Sequence, residues 1–100
     1  MVTIFDEFLV YVPNAFSPND DGFNDIFIPV LNGADPLHYE FLVFNRWGEL
    51  IFESQVPANG WDGTFKNQMS QQDVYVWRVK ARSILTGEEK LYFGHVTLLK

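Results

Sequence analysis

The densest run of chemically capable side chains is Ser17-x-Asn19-x-Asp21-Gly22-x-x-Asp25. Oxygen ligands at alternate positions with a glycine sixth resemble the opening of a calcium loop. On that reading Asn19, Asp21 and Asp25 are the candidate metal ligands and calcium is the candidate cofactor. The pattern departs from an EF-hand at its ends: the first position is Ser17, and Ile28 stands where the bidentate Glu belongs. Short Asn and Asp side chains also bond their own backbone in turns, which needs no ion. Other chemistry is sparse. His38 and His95 are the only histidines, there is no cysteine, and no Gly-x-Ser-x-Gly elbow is present. Carboxylates in a solvated loop lack the burial that raises a pKa for acid–base work. The expectation is a protein that is not an enzyme. Trp47, Trp61 and Trp77 are either a stacking platform for sugar or anchors of core and turns, and the second is the simpler reading. Arg78, Lys80 and Arg82 alternate along one stretch, a basic face open to a cross-strand acid or to an acidic partner.

The totals narrow the class. One hundred residues make a single domain with a modest core. Apolar residues at 47% are too many for a disordered tail. A formal net charge of −6 argues against nucleic acid, which needs clustered Lys and Arg. Without cysteine there is neither a disulfide framework nor a thiolate zinc site. The start, with Asp6 and Glu7 in its apolar run, is not a targeting segment. The natural chain is expected to run on upstream of Met1.

The elements that must position these residues read as strands and turns. Residues 3–12 are rich in β-branched and aromatic types and predict a first strand, or a linker up to residue 11. Val12–Asp25, with Pro13, Pro18 and six Asn or Asp, is neither helix nor strand; Phe16 and Phe23 would anchor it. Ile26–Val30 predicts a short edge strand because Pro29 has no N–H. Asn32–Pro36 reads as a turn. Tyr39–Asn45 is apolar on both faces, Arg46–Glu49 turns at Gly48, and Leu50–Glu53 returns. Pro57–Gly63 is a second loop anchored by Trp61, and Asn67–Gln72 a polar connection. Asp73–Arg82 alternates most cleanly, Tyr75, Trp77, Val79 and Ala81 on one face. Leu85–Glu89 turns the chain and Lys90–Leu99 is the last strand. About seven strands without a 3.6-residue apolar period predict an all-β, two-sheet antiparallel sandwich.

Several motifs in order resemble a known family. They are Val12-Pro-Asn-Ala-Phe-Ser-Pro-Asn-Asp-Asp-Gly-Phe-Asn-Asp25, Asn45-Arg-Trp-Gly48, Trp61-Asp-Gly63, Val74-Tyr-Val-Trp77 and the ending from Gly94 to Lys100. Together they look like the gliding-motility-associated C-terminal domain, the type B C-terminal signal of the type IX secretion system of Bacteroidota. The likeness spans Val12 to Lys100. Two departures stand out: Asp20 where the family usually has Gly, and Ser70-Gln71-Gln72-Asp73 where it tends to have Pro-x-Gly.

The resemblance implies an immunoglobulin-like β-sandwich at the end of a large cell-surface or secreted cargo, often an adhesin, in the same chain. It would direct that cargo through the translocon by binding a PorP/SprF-like outer-membrane barrel, with no catalysis. The elements expected to be recognised are the loop with Asn19, Asp21, Gly22, Asn24 and Asp25, the turn Asn45, Arg46, Trp47 and Gly48, and the last strand with Val96 and Leu98. That strand is a candidate for edge addition. The rival reading is a calcium-stabilised adhesion or carbohydrate-binding β-sandwich.

Overall fold

The computed structural model describes residues 8–19, 22 and 25–99. Among them there is no helix, and the chain is an immunoglobulin-like all-β sandwich. The described residues contain nine strands, in order: β1 (Leu9–Tyr11), β2 (Ala15–Phe16), β3 (Val30–Asn32), β4 (Ala34–Phe44), β5 (Leu50–Ser54), β6 (Thr64–Phe65), β7 (Gln68–Met69), β8 (Asp73–Ser83) and β9 (Glu89–Leu98).

One sheet dominates, in the order β2-β9-β8-β4-β5. Its pairs are antiparallel except β2–β9, which is parallel and joins Ala15 to Thr97 and Phe16 to Leu98. The long strands exist because their sequences alternate. In β8, Tyr75, Trp77, Val79 and Ala81 are buried, while Arg78, Lys80 and Arg82 between them lie on the opposite face. In β4, Tyr39, Phe41 and Val43 face the same interior. Leu42 is buried too, which fits a strand with a neighbour on either side and apolar chains on both faces.

A thinner layer covers the inner face. It contains the β1–β3 ribbon and a bridge between Phe27 and Trp61, each donating its N–H to the other's carbonyl at 2.8 and 2.9 Å. Between the layers the aromatic rings form a continuous line: Tyr75, Trp61, Phe16, Phe27, Phe41 and Phe52, with neighbouring centroids 5.1–5.7 Å apart. Tilted and edge-on contacts at these spacings add to the burial of the rings.

Several expectations are corrected. The Val12–Asp25 stretch is not wholly irregular, because Ala15–Phe16 forms β2 and Phe16 is buried. Phe23 lies outside the described residues, as do positions 3–7 of the expected first strand. Leu9–Tyr11 is paired to β3, so these residues belong to the fold and are not linker. Ile26–Val30 is not a strand: Phe27 makes one bridge, Pro29 is buried, and pairing begins at Val30. Asn32–Pro36 is not a simple turn either. Gly33, at φ 76°, lets β3 pass into β4, and Asp35 and Pro36 lie in an irregular stretch where pairing moves from Ala34–Ser83 to Tyr39–Ala81. The polar connection contains β7, paired to β6 through Lys66 and Asn67, both at positive φ as a tight hairpin requires.

Candidate interaction site

The family-like motifs, far apart in the chain, come together at one end of the sandwich. This is the end where β4 stops, β5 and β8 start and β9 finishes. The β6–β7 hairpin sits between the motifs. On one side a slot of about 180 Å3 is lined by Asn45, Trp47, Ile51, Phe65, Asp73 and Tyr75. On the other a slot of about 230 Å3 is lined by Pro18, Asp25, Ile26, Asp62, Thr64 and Met69.

The β4–β5 turn is built to hold still. Asn45 Oδ1 accepts the N–H groups of Trp47 at 3.0 Å and Glu49 at 2.9 Å, and its amide donates to Glu49 Oε1 at 2.9 Å. Gly48 takes φ 84° and donates its N–H to the Asn45 carbonyl. Arg46 pairs with Asp73 at 2.9 Å, pinning the turn to the start of β8. On this frame Trp47 is 74% exposed, with the Arg46 guanidinium 5.7 Å from its ring centre. The expectation that all three tryptophans anchor core or turns therefore fails at Trp47. Trp61 and Trp77 are core residues.

The acidic loop is tied by Asp25. Its Oδ1 accepts the Asn19 N–H at 3.2 Å and its Oδ2 the Gly22 N–H at 2.8 Å, with Gly22 at φ 85°. This is turn chemistry of the kind short acids provide. Asp21 and Asn24 lie outside the described residues. Among the described residues no three His, Cys, Asp or Glu side chains are grouped to hold an ion. Asp62 next door accepts from the Thr64 hydroxyl at 2.6 Å and its N–H at 3.0 Å, and these bonds hold its carboxyl below the usual range. Gly63, at φ 88°, abuts Pro18 so closely that an added Cβ would come within 2.9 Å of it, which locks the two loops together.

Asp73 was not singled out from sequence. Its carboxyl is held low first by the Val74 N–H, then by Gln71 and Arg46. Its position, where the family tends to have Pro-x-Gly, was the available signal. Val96 and Leu98 are placed differently from their expected role. Both are fully buried, facing the core, so their side chains are not surface contacts. On the basic face, Arg78 finds Glu40 at 2.8 Å, the cross-strand acid that alternation allows. Toward the opposite end, His38 bonds Asp35 at 2.9 Å beside an open groove of about 630 Å3 that Glu40, Lys80 and Glu89 also line.

Residues 10–98 match the family described as the CHU_C type IX secretion signal domain. Neither the curated proteins nor the solved structures contain a match.

Proposed function

The chain belongs to the type IX secretion signal domain family, and on that premise we propose that it sorts a large cell-surface or secreted protein for export without catalysing a reaction. The cargo, such as a gliding adhesin, lies upstream in the same chain. The receptor is an outer-membrane barrel of the PorP/SprF kind, acting with the translocon. What supports this reading is a match over nearly the whole fold, combined with the gathering of its motifs at one end around an exposed, pre-set Trp47. A rigid aromatic beside an arginine loses little entropy on docking and is typical of residues that dominate interface energy.

The test is a fusion of the whole chain, Met1–Lys100, with β1 included, to a periplasmic reporter in a host with and without the candidate barrel. Export that requires the barrel is expected. Export that ignores it would refute the receptor assignment, and retention in both hosts would refute the sorting role. Trp47→Ala refines the test, because an unchanged melting temperature with reduced export assigns the turn to recognition.

A further inference from the structure

The last strand offers an edge whose pattern is complementary to itself. At the end of β9, Thr97 and the residue just past the strand, Leu99, donate their N–H groups to the Asn14 and Phe16 carbonyls, away from β8. The register with β8 is unbroken from Asp73–Leu98 to Arg82–Glu89. By alternation, the backbone N–H and C=O groups of Glu89, Leu91, Phe93 and His95 point the same way, outward. β2 covers this edge only at Thr97–Leu98, and among the described residues no strand pairs with the rest. Proline, a bulge and an outward lysine, which blunt many edges, are absent over Glu89–His95. The one charge with the parity of the core face is Lys90, whose ammonium lies over the Phe8 ring at 5.8 Å. The side chains that flank the edge on the outer face are apolar and exposed, Leu91 at 49% and Phe93 at 63%.

We infer that this edge pairs with the same edge of a second copy of the chain. An antiparallel twofold centred on Tyr92 sets Glu89 opposite the copy's His95 and Leu91 opposite its Phe93. All four positions carry outward backbone groups, so every such pair exchanges both N–H···O bonds. The side chains match as well: a carboxylate meets an imidazole that can donate to it, and an aliphatic chain meets a ring. The copy's strand begins at Glu89, opposite His95, and so stops short of β2. The two five-stranded sheets become one. The contact is narrow, below the area of standard stable interfaces, so the dimer is concentration-dependent.

Sedimentation of the isolated domain from low to high micromolar concentration tests this. A reversible monomer–dimer equilibrium is expected. Phe93→Lys should weaken it at least about tenfold, since it replaces the ring opposite the copy's Leu91 with a solvated charge on the edge, with the melting temperature unchanged because the side chain is exposed. Glu89→Lys should weaken it and Glu89→Lys with His95→Glu should restore it. A monomer at every concentration overturns the inference, as does a dimer indifferent to these changes. So does strong exchange protection of the Leu91, Phe93 and His95 amides in the monomer, which would mean that another segment already covers the edge. These readouts do not involve export, so they stand or fall apart from the sorting role.

Discussion

At the scale of single residues, two contacts carry the core and one residue serves no packing role. Trp61 is fully buried, donates its indole N–H to the Thr64 carbonyl at 2.9 Å and touches Phe16 and Tyr75. Trp61→Ala should cost about 3–5 kcal/mol, measured by denaturant unfolding. Gly94 sits under Trp77: a Cβ there would come 2.4 Å from the indole Cζ2. Gly94→Ala is expected to destabilise by about 1–3 kcal/mol through overpacking, although its backbone conformation is open to alanine. Trp47→Ala, by contrast, should change stability by less than about 0.5 kcal/mol, as exposed substitutions usually do. The same contrast explains why the sequence leaves Trp47 open between a turn anchor and an exposed contact residue. A tryptophan beside a turn glycine has the same local sequence signature whether its ring folds inward or projects, and only the Asn45 and Asp73 bonds decide between them.

At the scale of elements, the β4–β5 turn and the acidic loop are held by side chains bonding backbone. Asn45→Ala removes two accepted N–H bonds and should cost about 1 kcal/mol or more by thermal unfolding, while freeing Trp47 to move. Because Asp25 already ties the loop through the Asn19 and Gly22 N–H groups, a chelator should leave the melting temperature unchanged; a drop on chelation would assign a cation to this loop. Long strands were legible in advance: β8 and β9 agree with the expected spans to within a residue at each end, because alternation over ten residues is hard to mistake. The five-residue β5 was legible as well, to within a residue, but the two-residue strands were not. β2 has two residues, too few to show a period, and its partner lies some eighty positions away in the sequence. The β6–β7 hairpin turns on Lys66–Asn67, which lacks the glycine that usually announces such a turn. Asn32–Pro36 has turn composition but is drawn into strands by the β4–β8 ladder. The interaction end was legible as a set of motifs, but their convergence around β6–β7 was not, since tertiary packing alone creates it.

At the scale of the whole molecule, charge and topology set the behaviour. Asp35, Asp62 and Asp73 are all held below their ordinary value of 3.8, chiefly by hydrogen bonds from the Leu37 N–H, the Thr64 hydroxyl and the Val74 N–H respectively. The unfolded chain therefore takes up protons before the folded one does. Their contribution to stability is complete above pH 3.8 and is lost as the pH falls through the lowered folded values. Melting temperature followed from neutral to acid pH should stay level and then drop in that window, and Asp62→Ala should make the drop shallower. The parallel β2–β9 pair has a mechanical consequence as well. Pulling the chain ahead of β2 against the chain beyond β9 slides two parallel strands lengthwise, so the bonds from Thr97 to Asn14 and from Leu99 to Phe16 bear the load together instead of opening one after another. Pulled from those two points the domain would resist as a shear clamp, and the force needed to rupture it would depend on the direction of pull.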